Sequence, residues 1–501
     1  MKRFLAIALF FFPFQALQAQ SLDAHTILAW SREAMPVAYD TLVHFLSIPN
    51  DSHNEQDIAK NLTWCQQAYG LRGFKVTIIH EKDAPFVLAE MEVDDQRPTV
   101  LFYTQIDGQP VDPSVWDQPD PYQAVIKRKD GSVSSELPEH WDPDGKIYAR
   151  SASDSKGPAV CLLTAFDLLK NEGLQPAFNV KVIMDFQEEM SSPQLPAAVT
   201  RHRDLFAADY LVVMDGARHV SNLPTLTFGA RGIATARLQV FGPKVPLHSG
   251  QYGNFAPNPV FGLARLLAAM KDEDGRVLIP GYYDGIHLTA EEKARLKEVP
   301  EDAIELSHQF GFAEPEKVGE NYQEALQYPT LNVRGLRAAW TGDAVRTIIP
   351  DVALAEIDVR LVPESDGERL MQSIRRFIQD QGYHLVEGSP TDHERSTYPK
   401  LAAFDYEVGY AAYRTDFDAP IGGWLHQALT RALGTPPLLM RTTGGSQPIS
   451  PFITALGLPA VSVRIPNPDN NIHSPNENLR LGNFLEGIAT CVGILTEPIK
   501  P

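Results

Sequence analysis

The sequence predicts an α/β protein: a mostly parallel sheet with helices on both faces, carrying an inserted α+β layer. Three observations predict it. Short, wholly apolar strand-like runs alternate with helix-like stretches in the first half and again near the end of the chain. The middle shows apolar/polar alternation instead, the mark of a sheet with one wet face. The 501 residues are 44% hydrophobic and 21% charged, a folded composition with room for two or three domains.

The elements follow in order. Residues 1–19 open with Lys2 and Arg3, continue with an apolar run from Phe4 to Phe14, and end on small residues at Ala19. That order is an export leader, too short to span a bilayer, so a periplasmic or secreted protein is expected. Pro98–Thr104 (PTVLFYT) is a buried strand, apolar throughout and β-rich. Pro158–Lys170 is a helix, with Val160, Leu163, Phe166 and Leu169 along one face. Asn179–Phe186 and Asp209–Met214 are further buried strands. Thr235–Phe241 and Ala353–Val362 alternate, with helical stretches at Pro259–Asp272 and Glu368–Gln381. The charged segment from Asp284 to Tyr328 forms helices or an excursion. Ala460–Ile465 is a last strand and Leu481–Leu495 a closing helix. The expected domains are residues 20–227 and 401–501 as two parts of one body, with 228–400 inserted between them.

Charge bounds the partners. Lys plus Arg is 44 and Asp plus Glu is 63, for a net charge of −19. Such a surface repels phosphate backbones and anionic lipid, so neither nucleic acid nor membrane is an expected partner. The cysteines, Cys65, Cys161 and Cys491, are three and far apart, which excludes a disulfide framework and a CxxC metal site, though not one bridge.

The chemistry gathers after the buried strands. Gln105 and Asp107 follow the first, Glu188 and Glu189 the second, and Asp215 the third; His473 comes a loop beyond the last. Asp154 lies just before the helix at Pro158. Ligands of open α/β sheets bind at the carboxyl ends of the strands, so these groups converge. Like charges that close need a cation, and Asp, Glu and His suit zinc. Taken singly, each has an ordinary reading: Asp154 as a helix cap, Asp215 as a turn residue, the others as surface polar groups. Their shared position is what singles them out. The adjacent glutamates suit a division of labour, one on metal and one taking a proton from water.

In this setting the chain resembles the dinuclear-zinc aminoacylase and carboxypeptidase hydrolases, the family of carnosinase-type dipeptidases, glutamate carboxypeptidase, acetylornithine deacetylase and succinyl-diaminopimelate desuccinylase. The resemblance runs from about Asp40 to Thr496 and is nearest the dipeptidase branch. Its motifs are Tyr103–Pro110 (YTQIDGQP), Tyr148–Gly157 (YARSASDSKG), Phe186–Met190 (FQEEM), Leu247–Gly253 (LHSGQYG), Arg346–Pro350 (RTIIP), Ile357–Pro363 (IDVRLVP), Gly444–Pro448 (GGSQP) and His473–Glu477 (HSPNE).

The resemblance implies roles. Asp154 bridges two metals, Glu189 and His473 complete one site, and Asp215 belongs to the other. Glu188 is the general base, and Asp107 orients the ligand two residues before it. The inserted domain is a lid that forms a homodimer, through which His248 reaches the partner's site and stabilises the oxyanion. Thr347, Arg360 and Ser446 hold the substrate's carboxylate end. The implied activity is hydrolysis of an amide bond in a dipeptide or N-acyl amino acid.

Gln105 departs from the family, which has a histidine metal ligand there. A neutral amide oxygen is a poor zinc ligand. Three outcomes stay open: a weak second metal or a harder ion, an enzyme with one metal, or a fold kept for binding without catalysis. Ser155 after Asp154, and Gln447 in place of a small aliphatic residue, are smaller departures. Retention of Glu188, His248 and Arg360 favours an active hydrolase. A serine hydrolase using Ser446 or Ser249 is disfavoured, because no GxSxG turn is present.

Overall fold

The computed structural model of the chain describes residues 22–82 and 84–500; the leader expected over residues 1–19 lies outside them. Four parallel strands form the centre of an eight-stranded sheet. In space they run Asn179–Asp185, Thr99–Gln105, Tyr210–Val213, Ala460–Arg464. These are the four apolar runs the sequence marks out, and nearly every side chain on them is buried. A strand covered on both faces must be apolar on both.

The faces separate cleanly. Val100, Phe102, Val180 and Val182 pack with the helices Ala24–Leu46, Lys156–Asn171, Pro420–Leu433 and Leu481–Thr496. Leu101, Tyr103 and Ile183 point the other way, against the short helices Leu195–Arg201 and Ser450–Leu456. Each large side chain so buried contributes roughly 1.5–3 kcal/mol. The sheet is extended by strands the sequence did not announce. Lys75–Glu81 and Ala84–Met91 lie antiparallel at one edge, and Thr225–Thr227 and Leu438–Met440 lie at the other. All three cysteines are buried and unpaired.

A second sheet is built mainly from the middle of the chain, in the order Asn332–Arg337, Val352–Leu361, Gly229–Phe241, Leu401–Tyr410, His384–Leu385. Val352–Leu361 alternates buried and half-buried residues, as its sequence pattern requires. Its buried face packs with the helices Pro259–Met270 and Gly367–Asp380. The charged stretch between them holds three short helices, Ala290–Leu296, Ala303–Phe310 and Tyr322–Ala325. Leu401–Tyr410 pairs with Gly229–Phe241, so this sheet continues one strand past residue 400.

One buried acid shapes the loop that carries Asp154. The carboxylate of Glu477 is fully buried and accepts five hydrogen bonds. Its Oε2 takes Arg150 Nη1 at 2.8 Å and the Ser151 amide at 3.0 Å. Its Oε1 takes the amides of Ser153 and Asp154, both at 2.9 Å, and the Ser153 hydroxyl at 2.8 Å. The loop has no ladder of its own, and this side chain supplies the acceptors its amides need. Glu477→Gln replaces one accepting oxygen by a donor and leaves the Arg150 cation buried without its anion. We expect it to destabilise the chain by about 3–5 kcal/mol, read as a lowered denaturation midpoint in urea; an unchanged midpoint would show that the loop is held by something else.

Candidate active site

The site is assembled where the parallel strands end. Asp107 lies two residues past Thr99–Gln105 and is fully buried. Its two oxygens accept the backbone amides of Glu188 at 3.1 Å and Glu189 at 3.0 Å. Asp185, at the end of the neighbouring strand, accepts the hydroxyls of Tyr103 at 2.9 Å and Ser192 at 2.6 Å and the Gln187 amide at 2.9 Å. Two buried carboxylates thus hold the turn bearing both glutamates. Burial, then the charges of Asp185 and Glu189, pushes the Asp107 carboxyl well above the usual carboxylate range.

Asp154, Glu189 and His473 form one cluster. One ligand-type atom from each lies within 4.8 Å of the other two. His473 Nε2 is 3.1 Å from Asp154 Oδ2 and 3.1 Å from Glu189 Oε2. His473 has a left-handed backbone, φ 58°, which turns its ring back toward the strand ends. Gln109 Nε2 donates to Glu189 Oε2 at 2.8 Å. The flanking carboxylates raise His473 to about 10, and burial raises Asp154 to about 8 against the pull of that histidine. The acids thus favour positive charge at this point. Two carboxylate oxygens and one imidazole nitrogen, facing one point, fit a zinc ion.

Asp215 has different company. Gln105 Nε2 donates to Asp154 Oδ1 at 2.8 Å. Ser155 Oγ lies 3.1 Å from the same oxygen and 3.2 Å from Asp215 Oδ1. Gln447 Nε2 donates to Asp215 Oδ2 at 2.6 Å. Behind it, Arg464 Nη1 donates to the Asp215 carbonyl at 2.7 Å. Gly216 makes room for that guanidinium. Its φ is +85°, and a Cβ there would lie 1.5 Å from Arg464 Nη1, so any other residue would be strained and would push the guanidinium aside.

Glu188 is half-buried beside these acids, and among the described residues no protein donor reaches its carboxylate. Burial, then the charges of Asp215, Asp154, Glu189 and Asp107, raises it well above the carboxylate range. Tyr410 is raised by burial and then by the charge of Glu188, while Arg360 and Ser446 act on it in the opposite sense. Arg360 Nη1 donates to Ser446 Oγ at 2.8 Å. His248 and Thr347 lie apart from this group. His248 pairs with Ile348 in a two-stranded ladder, and Ser249 donates to the Thr347 carbonyl at 3.2 Å. Both are exposed, and no hydrogen bond among the described residues ties either to the carboxylate cluster.

Sequence reasoning did not single out Glu477, Gln109, Tyr410 or Arg464. Glu477 and Gln109 sit inside quoted motifs, so their place in the chain was visible while their partners, hundreds of residues or a whole strand away, were not.

Comparison with known proteins follows the same lines. The model for peptidase family M20/M25/M40 matches residues 101–497. The Beta-Ala-His dipeptidase of Homo sapiens is 27% identical over 414 residues, covering 80% of this chain and 75% of that protein. The Cys-Gly metallodipeptidase dug1 of Schizosaccharomyces pombe is 26% identical over 423 residues, covering 81% and 80%. Among solved structures, the M20 family metallo-carboxypeptidase Sso-CP2 from Sulfolobus solfataricus superposes with a TM-score of 0.75 at 28% identity, covering 91% of this chain and 98% of that one. A more distant M20 peptidase from Bacillus subtilis, TM-score 0.53 at 12% identity, is described as binding a dinuclear metal, and its likeness is one of fold. These relatives correct one expectation. Cys-Gly metallodipeptidases of three yeasts stand beside the mammalian enzymes, so kinship gives no ground for export, and the leader pattern lies outside the described residues. The assignment to the periplasm or exterior is withdrawn. With the family pattern matched along most of the sequence and its fold shared with a peptidase 28% identical, the chain is a peptidase and belongs to peptidase family M20/M25/M40.

Proposed function

We propose that this peptidase hydrolyses the amide bond of dipeptides or of N-acyl amino acids of similar shape, with zinc held by Asp154, Glu189 and His473. The observation that carries the reading is the convergence of those three side chains beside a glutamate with no protein donor of its own. The names of the relatives, dipeptidases for β-Ala-His and for Cys-Gly, support the substrate class.

Zinc bound there supplies Lewis acidity to the scissile carbonyl and to the attacking water. Glu188 takes the proton from that water. Its raised proton affinity suits a group that must hold the proton and then release it to the leaving amine. Asp107 keeps the base in place by gripping the Glu188 and Glu189 amides. Arg360, positioned by Ser446, binds the substrate's free carboxylate through charge-assisted hydrogen bonds. The layer from 228 to 400 acts as a lid and as the contact of a homodimer. Exposed His248, with Thr347 beside it, there completes the neighbouring active site and stabilises the developing oxyanion.

Glu188→Gln keeps size and hydrogen bonding but removes the base. We expect kcat to fall by about 10²–10⁴-fold with zinc content unchanged by elemental analysis; a normal rate would remove Glu188 from this role. Arg360→Met should raise KM for dipeptides about 10–100-fold with kcat nearly kept, the loss of one charged hydrogen-bonding partner. Dipeptide amides, which lack the carboxylate, should not distinguish wild type from this variant; a variant that discriminates against both equally would place Arg360 elsewhere in the mechanism.

A further inference from the structure

The two sides of the carboxylate cluster are built from different chemistry. On the Glu189 side, an acid and an imidazole turn bare ligand atoms toward Asp154. On the Asp215 side, the groups turned toward the acids carry hydrogen. Gln105 turns its amide N–H to Asp154, and Ser155 offers its hydroxyl. The orientation of Gln447 is set independently. Its Oε1 accepts from Tyr413 OH at 2.8 Å and Ser462 Oγ at 3.3 Å, which leaves only its NH2 for Asp215 Oδ2. Gln105, Ser155, Gln447, Tyr413 and Ser462 are each buried.

We propose that this chain works with one metal ion, held by Asp154, Glu189 and His473, and that the place beside Asp215 is closed by Gln105, Ser155 and Gln447. The proposal rests on the zinc-hydrolase reading above and narrows it. An ion between Asp154 and Asp215 would meet three hydrogen-bond donors and gain no imidazole. The neutral acceptors left are the Ser155 hydroxyl oxygen and Gln105 Oε1, the latter buried without a partner, and neutral oxygens are weak substitutes for a histidine. The buried Arg464 guanidinium donates to the Asp215 carbonyl and so sets a fixed cation behind that acid. Tyr413, Gln447, Asp215, Ser155, Asp154 and Gln105 follow one another at hydrogen-bond distance, the single Ser155 proton serving one of its two carboxylate neighbours at a time. In a dry interior hydrogen-bond donors so placed serve where a cation otherwise must.

The test is the metal content of the full-length protein, stripped with chelator, dialysed against zinc and measured by elemental analysis. We expect about one zinc per chain. Two per chain would overturn the proposal and leave the hydrolase reading standing; none would overturn both. Asp215→Asn preserves the chain, since its amide oxygen accepts from Gln447 and its NH2 can donate to Ser155. We expect that variant to bind the same amount of zinc with affinity within about threefold, whereas Glu189→Gln, a change in a direct ligand, loses about 100-fold or more, beyond the cost of losing an outer partner. Loss of an ion on Asp215→Asn would overturn the proposal. Should that variant not fold, anomalous scattering at the zinc edge from wild-type crystals decides it: one peak among Asp154, Glu189 and His473 is expected, and a second peak in contact with Asp215 would refute it.

Discussion

Acids drawn to one edge of a sheet repel one another, and in a buried setting that repulsion is large enough to govern everything around it. Asp107, Asp154, Asp185, Glu188, Glu189, Asp215 and Glu477 all gather at the carboxyl ends of four strands. The local architecture is a set of separate answers to this one problem. Glu477 has a guanidinium and a run of loop amides. Asp107 has the amides of a turn, and Asp185 has two hydroxyls. Asp154 and Glu189 share His473. Asp215 has an amide side chain and a guanidinium at its back. Glu188 alone has no protein donor among the described residues, which leaves it free to meet a water. Function, in the reading proposed, is located at the acid that the fold declines to neutralise.

This arrangement explains which parts of the molecule were legible in the sequence. The four parallel strands were, because helices cover both their faces and the strands must be apolar throughout. The helix over Lys156–Asn171 was, because Gly157, Pro158 and an apolar stretch mark where it starts and what it buries. The strand Lys75–Glu81 was not; it lies at the sheet edge, and it mixes polar with apolar residues. Ladders of two or three residues, such as Leu247–His248 with Ile348–Ile349, are shorter than any periodicity can report.

The site divides the same way. Asp154, Glu189, Asp215 and His473 could be found because strand ends are recognisable and chemistry collects there. Glu477 could not be weighed, since a single buried acid has no local pattern and its five donors come from more than three hundred residues earlier in the chain. Asp107 was legible as a site residue through resemblance, yet its contacts are with the Glu188 and Glu189 amides, a fact only three-dimensional packing reveals. Gln105 stood out as a departure from a family pattern. What sequence could not show is that its amide joins a network with Ser155 and Gln447, two other departures in segments far from it.

That network has a consequence for how such a protein changes over generations. Its members are contributed by three segments and share their partners, so their effects on one another cannot be additive. An imidazole introduced at position 105 would still find the Ser155 hydroxyl and the Gln447 amide in place. Removing either donor first would leave a buried carboxylate oxygen with nothing to receive. The substitutions at 105, 155 and 447 are therefore coupled, and the effect of exchanging any one depends on which of the others is present.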